Sequence, residues 1–575
     1  MQSKEVAKIF SEIAQILELK GENPFRVRAY ERAARTIEDL GEKLKVIADQ
    51  DKLTTLPGIG ADLAEKIKEM LKTGSLKYYQ QLKKEIPSGL FDMLKIQGLG
   101  PKTVKLIYDK LGIDTIESLK KAIDAGKLNQ IEGIREKTQE NILRGIEFIK
   151  KSKEHFSFYE ANKVAEKFIE KIKKFKGVKK IELAGSLRRK KSEVKDIDIL
   201  AISKNPESVM DKFTKLDLAD DVLAKGPTKS SIIAKENNIQ VDLRVLDEKS
   251  FGSAMVYFTG SKDFNVRLRQ LAIKKGYKIN EYGVFDVASS KKEKLLAAGT
   301  EREIFSLMKL DYIPAELRED RGEIEAAKKG GLPKLIEKKD IKGDLHVHSK
   351  YSDGKESIEE IAKAAKRRGY DYIGISDHSQ SLKIASGLSI KELHKKIEEV
   401  KKINKKLPGI KVLCGTEADI LMDGSIDYPD SVLKELDYVI AAIHSGFKQS
   451  KEQITKRIIK ACKNKYVNII AHPTGILQGI RDAYQVDLEK IYQAASDFNV
   501  ALEINCHPQR MDLSDLRVME AKSKKAKLFL GTDSHTLEQL DFIELGINIS
   551  RRGWLTKKDV INCFKTDELK KWLKK

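Results

Sequence analysis

Gly185-Ser-Leu-Arg-Arg189, followed closely by Asp196-Ile-Asp198, is the segment that decides the fold of the central region. Asp196 opens an apolar run ending at Ile202, Asp196-Ile-Asp-Ile-Leu-Ala-Ile202, which has the composition of a β-strand. Alternate side chains of a strand leave one face, so Asp196 and Asp198 stand on the same side, about 7 Å apart along the chain. Asp242 supplies a third carboxylate from a second strand-like run, Ile239-Gln-Val-Asp-Leu-Arg-Val245. Three carboxylates suit a pair of Mg²⁺ or Mn²⁺ ions, one activating an attacking hydroxyl and the other neutralising a polyphosphate. A lone D-x-D is equally a solvated strand end. The tight turn in front of it selects the phosphoryl-transfer site, because Gly185, the Ser186 hydroxyl, Arg189 and backbone N–H groups can hold phosphates.

Working toward the N-terminus, residues 1–150 read as short helices punctuated by glycine. Leu56-Pro-Gly-Ile-Gly-Ala-Asp-Leu-Ala-Glu-Lys-Ile67 and Ile96-Gln-Gly-Leu-Gly-Pro-Lys-Thr-Val-Lys-Leu-Ile107 are two copies of one unit. A weaker third copy runs from Ile131 to Ile142, with Arg135 in place of its second glycine. In each good copy a G-x-G turn leads into a helix. Gly58 and Gly60, and Gly98 and Gly100, let the backbone turn tightly and aim N–H groups at a DNA phosphate without reading its sequence.

Toward the C-terminus, the charged segment from Pro314 to Asp340, with Gly330-Gly331 and Pro333, reads as a tether. Beyond it, apolar strands repeatedly end in polar clusters with helices between them, the pattern of a β/α barrel with its site at the C-terminal strand ends. Eight of the nine histidines lie in this last part. His346, His348, Asp353, His378, Glu417, His444, His472, Asp533 and His535 fall at successive strand ends. Mixed imidazole and carboxylate donors favour Zn²⁺, Mn²⁺ or Fe²⁺, and nine of them can hold up to three ions. Such a cluster suits phosphoester hydrolysis. His155 and His394 fall outside every motif.

A chain of 575 residues implies several domains. Its net charge of +22 fits a polyanionic partner, although a Lys- and Glu-rich surface of a heat-adapted protein has the same balance. No long apolar run suggests a membrane span or a secretory leader, so a cytoplasmic protein is expected. Four widely spaced cysteines without a CxxC pair are expected to be reduced, buried thiols.

The glycine-turn units resemble helix-hairpin-helix motifs of DNA repair proteins. G-S-x-R-R, D-x-D and V-D-L-R resemble the palm of the family X DNA polymerases, and Tyr257-Phe-Thr-Gly-Ser261 with Asn265 and Arg269 resembles their thumb. That resemblance implies that Tyr257 and Phe258 flank the sugar of an incoming nucleotide beside Gly260. It further implies that Asn265 reaches the base's minor-groove edge and that Arg269 approaches the template. Lys195 and Lys262 stand where mammalian members of that family have Gly and Asp. Lys66 aligns with the family's lyase lysine, whose Schiff-base chemistry requires a desolvated or crowded amine. H-x-H, S-D-G, S-D-H, G-T-E, I-H-S-G, A-H-P and G-T-D-S-H resemble the polymerase and histidinol phosphatase (PHP) domain, with all nine ligand positions matched. Asp344 and Asp377 are then expected to orient neighbouring histidines.

Together these resemblances imply a helix-hairpin-helix region at residues 1–150, an α+β nucleotidyltransferase palm at 151–245, a thumb at 246–315, a linker at 316–340 and a distorted (β/α)7 PHP barrel at 341–575. The implied function is gap-filling synthesis in base-excision repair, with 3′–5′ exonuclease and abasic-site endonuclease or 3′-phosphatase activity. Mg²⁺ or Mn²⁺ would serve the palm, and Zn²⁺ or Mn²⁺ the barrel. The partners would be gapped or primer-template DNA and dNTPs, with the protein a monomer. A metabolite phosphatase with a degenerate transferase domain and a DNA-binding scaffold with vestigial sites are the alternatives; the complete carboxylate triad, thumb motif and metal ligands argue against both.

Overall fold

Amphipathic spacing builds the N-terminal region. Helices α1 (Ser3–Lys20) and α2 (Pro24–Leu40) pack along each other, burying Phe10 edge-on against Tyr30, and α3 (Ala61–Thr73) and α4 (Pro101–Leu111) add Ile67, Met70, Val104 and Ile107 to the same core. This computed structural model describes residues 3–40, 44–94, 96, 99–131, 134, 138–139, 142–143, 146, 155–287 and 293–574. The chain divides into two units, the first mainly Met1–Glu154 and the second most of residues 155–575. Most of the weak third glycine-turn copy lies outside the described residues.

In the second unit the helix Phe158–Lys173 leads into a five-stranded sheet. Its strands are β1 (Val178–Leu183), β2 (Asp196–Ser203), β3 (Ala219–Lys225), β4 (Lys229–Ala234) and β5 (Gln240–Leu246), in spatial order β1-β2-β5-β4-β3. β1 runs antiparallel to β2, and β2 parallel to β5. A short helix α5 (Gly185–Arg188) links β1 toward β2. Helices α6 (Phe251–Thr259) and α7 (Lys262–Ile273) follow, the first stopped by Gly260 at φ +68° and the second capped by the Ser261 hydroxyl, which accepts from the Phe264 N–H. The strands β6 (Tyr277–Asn280), β7 (Gly283–Asp286) and β8 (Lys294–Ala297) then form an antiparallel sheet.

Seven parallel strands form the C-terminal part: β9 (Gly343–Asp344), β10 (Tyr372–Ile375), β11 (Lys411–Asp419), β12 (Tyr438–Ala442), β13 (Ile469–Ile470), β14 (Ala501–Asn505) and β15 (Lys527–Gly531). They are paired in chain order, and a parallel bridge between Val347 and Ser534 joins the first strand's end to the last, nearly closing a barrel. Buried Leu345, Tyr372, Leu413, Ile440, Ile469 and Phe529 fill its interior. The burial of these strands on both faces explains their near-continuous apolar runs.

The segment expected to be a tether is packed instead. Arg318 is fully buried, with its guanidinium on Glu301 and 5.0 Å from the Phe305 ring, and buried Glu323 accepts from the Asp320 and Arg321 N–H groups. Arg318 and Glu323 are thus satisfied inside the protein while the lysines nearer Asp340 stay exposed, a division that a charge-rich sequence alone cannot show. Cys414, Cys462 and Cys506 are buried free thiols, and Cys563 is half-buried. Among the described residues no helix is long and apolar enough to cross a membrane.

Candidate active site

The parallel register of β2 and β5 sets Asp198 directly opposite Asp242, with Asp196 two residues earlier on the same face. Burial, and then the neighbouring charges of Asp196 and Asp242, push the Asp198 carboxyl up to about 7. Asp196 is raised for the same reasons. Burial acts on Asp242 as well, but hydrogen bonds from Gln240, Lys229 and Ser231 outweigh it and hold that carboxyl low. Gln240 Nε2 lies 2.7 Å and Lys229 Nζ 2.9 Å from it. Lys229 carried no signal in the sequence, since it reaches Asp242 only through the pairing of distant strands. Arg244, from the V-D-L-R string, packs over the Phe258 ring at 4.5 Å and has a buried Nε without a hydrogen-bond partner.

The glycine turn sits against these carboxylates. Gly185 has φ +58°, and a Cβ there would lie 2.1 Å from Asp198 Oδ2, so only glycine allows this approach. The Ala184 N–H donates to the Asp198 carbonyl at 2.9 Å, tying turn to strand, and Ser186 is half-buried beside them. The two arginines of the turn are engaged elsewhere, contrary to the sequence expectation that Arg189 is available for phosphate. Arg188 forks onto Glu301 at 2.8 and 2.7 Å, while Arg189 meets Glu319 at 2.9 Å and donates to the Thr259 carbonyl. A buried guanidinium must be paired, and acidic side chains more than a hundred residues away supply the partners.

Tyr257 and Phe258 lie at the end of α6 with their rings edge to face, 5.1 Å apart, and Tyr257 is exposed. Gly260 follows, and Asn265 and Arg269 lie on α7, whose first residue is Lys262. Lys195 is exposed just before Asp196.

At the barrel's C-terminal strand ends the nine expected ligands converge. Glu417 lies centrally, its Oε1 3.0 Å from His472 Nε2 and 3.3 Å from His444 Nε2, its Oε2 3.0 Å from His378 Nδ1 and 3.4 Å from His346 Nε2. Asp533 approaches His348 at 3.2 Å, and Asp353 approaches His535 at 3.2 Å and His378 at 3.6 Å. The donor atoms fall into three groups able to hold an ion: His348, Asp353, His378 and His535; His346, His348 and Asp533; His378, Glu417 and His444. His472 and Asp533 carry left-handed backbone, at φ +28° and +54°, a strain of the kind concentrated at functional sites.

These residues fit divalent cations. His346 Nε2, both ring nitrogens of His348, His378 Nδ1, His472 Nδ1 and Glu417 Oε2 are buried and make no well-aligned hydrogen bond despite close neighbours, a cost that metal ligation removes. Burial holds His348 at about 4 and His472 at about 3, the neutral form that binds metal. Burial would also lower His444, but Glu417 and Asp419 outweigh it and raise it to about 9.

The groups that orient the rings differ from those expected. Asp344 accepts from the His346 backbone N–H and from Thr532, and Asp377 pairs with buried Lys396 and Ser349. The imidazoles are held instead by Glu503, 2.5 Å from His346 Nδ1, and by Asp419, on His444 Nδ1. Glu503 lies inside the apolar strand Ala501-Leu-Glu-Ile-Asn505; a charged residue facing a barrel interior was the available signal. Arg510 reaches Asp533 Oδ2 at 3.2 Å with a second, buried nitrogen unpartnered.

In the first unit, Gly58 has φ +79° and Gly60 caps α3, while Gly100 caps α4; Gly98 lies outside the described residues. Only Gly58 of these three uses the left-handed region. Lys66 on α3 is mostly covered, paired with Asp62 and 5.3 Å from the Tyr78 ring centre.

Family profiles match along the chain: a helix-hairpin-helix domain at residues 1–76, a SAM-like helix-hairpin-helix tandem at 91–147, a DNA polymerase beta thumb at 254–319 and a PHP domain at 344–507. The DNA polymerase/3′-5′ exonuclease PolX of Bacillus subtilis is 38% identical over 576 residues, covering 100% of both chains. A probable phosphatase of Thermoanaerobacter sp. is 30% identical over 246 residues, 40% of this chain and 94% of its own, and one of Caldanaerobacter subterraneus is 29% identical over 241 residues, 40% and 90%. Full-length identity, helix-hairpin-helix and thumb profiles around a carboxylate-bearing palm, and a C-terminal barrel lined with metal-type ligands lead to one assignment: the chain belongs to the family X DNA polymerases that carry a C-terminal PHP domain, and is a DNA polymerase with 3′–5′ exonuclease activity.

Proposed function

We propose that this polymerase fills short gaps during base-excision repair, adding nucleotides at the palm and trimming 3′ ends at the barrel. The observation that carries the synthetic half is the contact of the Gly185 turn with Asp198, which sets a phosphate-holding backbone beside three carboxylates. Asp196, Asp198 and Asp242 would hold two Mg²⁺ or Mn²⁺ ions, which supply acidity to the primer 3′-hydroxyl and charge neutralisation to the triphosphate. With Arg189 engaged by Glu319, the chain's own phosphate donors are Ser186 and the first N–H groups of α5, which have no intrahelical partner. Tyr257 and Phe258 present ring faces and edges to the nucleotide sugar beside Gly260, Asn265 donates to the base edge, and Arg269 meets the template strand. Gly58, Gly60, Gly98 and Gly100 hold the DNA backbone at their turns.

In the barrel, the nine ligands would hold Zn²⁺ or Mn²⁺, up to three ions, supplying Lewis acidity for a phosphoester. Glu503 and Asp419 fix the ring orientations of His346 and His444 for that task. The same chemistry extends to abasic-site cleavage and 3′-phosphate removal, since each hydrolyses a phosphoester at a 3′ oxygen and leaves a 3′-hydroxyl. Lys66, covered by Tyr78, is the lysine to test for 5′-deoxyribose-phosphate removal; borohydride trapping that labels wild type and Lys66→Ala equally would dismiss it. The protein acts as a monomer in this scheme.

A gapped-primer assay tests the division of labour. Asp198→Ala should lower synthesis at least about a thousandfold while degradation persists, and His346→Ala should do the reverse. Synthesis surviving Asp198→Ala, or degradation surviving His346→Ala, would refute the assignment.

A further inference from the structure

The last residue of helix α8 (Ile543–Arg552), a barrel element, reaches the palm. Arg552 is 3% exposed, and its Nη1 donates to the Arg189 carbonyl at 2.7 Å and to Glu319 Oε1 at 2.9 Å. Its Nε and Nη2 fork onto Asp515 Oδ2 at 2.9 and 2.8 Å, an oxygen that Arg321 shares at 2.9 Å. Glu319 Oε1, in turn, receives Arg189 Nε at 2.9 Å. Arg189 completes the chain of contacts by donating to the carbonyl of Thr259, the residue before Gly260.

This arrangement bears on the nucleotide pocket from two sides. The Gly185–Arg189 turn meets Asp198 at one end and is fixed at the other by a guanidinium from the barrel. Through Arg189, the same guanidinium is connected to the corner where α6 gives way to α7, next to Tyr257 and Phe258. A planar fork of donors held by two carboxylates and a carbonyl has little freedom, and buried pairs of this kind are costly to break from one side. Catalysis is sensitive to displacements near 1 Å in groups that hold the reacting phosphate. The hydrogen bonds of this network run to the Gly185–Arg189 turn, Thr259, Glu319, Asp515 and Arg321 and not to the nine ligand residues, so its effect is expected on synthesis.

We propose that Arg552 is a positioning residue for nucleotidyl transfer: the exonuclease barrel supplies the side chain that sets the palm's triphosphate-binding turn, and this rests on that turn being the triphosphate site. Arg552→Lys keeps the charge but loses the fork. Glu319→Gln keeps the shape of the junction but removes the shared charge.

The test uses the full chain, with single-nucleotide insertion on gapped DNA and degradation of a single-stranded 3′ end measured in parallel. Arg552→Lys should raise the KM for dNTP about tenfold with kcat changed less than about threefold, and leave degradation as in wild type. Glu319→Gln should shift KM in the same direction, so the proposal stays testable if Arg552→Lys fails to fold. Ser186→Ala is the control for the site itself. If Ser186→Ala leaves the nucleotide KM unchanged, the turn is not the triphosphate site and the underlying assignment falls. If Ser186→Ala raises KM while both junction variants leave it unchanged, or lower synthesis and degradation equally, Arg552 is structural and the inference is overturned.

Discussion

Glu417 contacts the rings of five histidines of the barrel, and Glu503 contacts the His346 ring and accepts from the His472 N–H, so each makes a distinct demand on the site. Glu417 completes one candidate ligand group with His378 and His444, so its loss removes a donor directly. Glu503, fully buried, orders the His346 ring from behind. Glu503→Gln should weaken metal retention by about 10- to 100-fold and slow degradation accordingly, with gap filling unaffected. Bound metal measured by elemental analysis during a chelator titration checks this; full metal content at wild-type chelator resistance would contradict it. Lys195 stands just before Asp196 on the palm and Lys262 begins α7 in the thumb, and Lys262→Asp should weaken dNTP affinity by removing a positive charge. Equilibrium nucleotide binding reads that directly.

At the level of elements, the palm and thumb are joined by charge as well as by apolar packing. Glu301 begins the helix Glu301–Leu307 and receives Arg188 from α5 and Arg318 from the segment after the thumb. Burial would raise its carboxyl, but the two guanidiniums outweigh that and hold it at about 2, against an ordinary 4.5. A carboxyl depressed in the folded state stabilises the protein above its unfolded value, and that contribution disappears as pH falls from about 4.5 toward about 2. The pair of values corresponds to about 3 kcal/mol at most, with Glu301 only 11% exposed. Denaturant unfolding of wild type and Glu301→Gln should differ clearly at pH 6, by less than half as much near pH 3, and converge only at or below about pH 2. A gap independent of pH would mean that packing, not the charge, holds this joint.

Across the whole molecule, the two catalytic centres differ in how they are stabilised. The barrel concentrates buried carboxylates and imidazole nitrogens without well-aligned hydrogen bonds in one place, so cations should contribute to its stability as well as its chemistry. Chelation should lower the melting temperature of the barrel by about 10 °C, seen by calorimetry, if ions are present near a thousand times their dissociation constant. The same treatment of a His346→Ala variant should have a much smaller effect. Much of this organisation was legible in the sequence because it is local. Strand-end positions of His346 through His535, the D-x-D spacing of Asp196 and Asp198, and the G-x-G turns before α3 and α4 follow from short-range periodicity and backbone geometry, and they pointed to a helical first part, a barrel and nine candidate ligands. The partners of buried charge were not local. Arg189 satisfied by Glu319, Lys229 by Asp242, His346 by Glu503, and Arg552 reaching the Arg189 carbonyl all depend on segments brought together from far apart, as does the packing of the charged stretch once read as a tether. Sequence alone thus determined which chemistries the chain carries, since those depend on residue type and spacing. Only the tertiary structure decided which charged groups face a ligand and which are consumed in holding the sites in place, because a buried charge requires a partner and the fold alone supplies it.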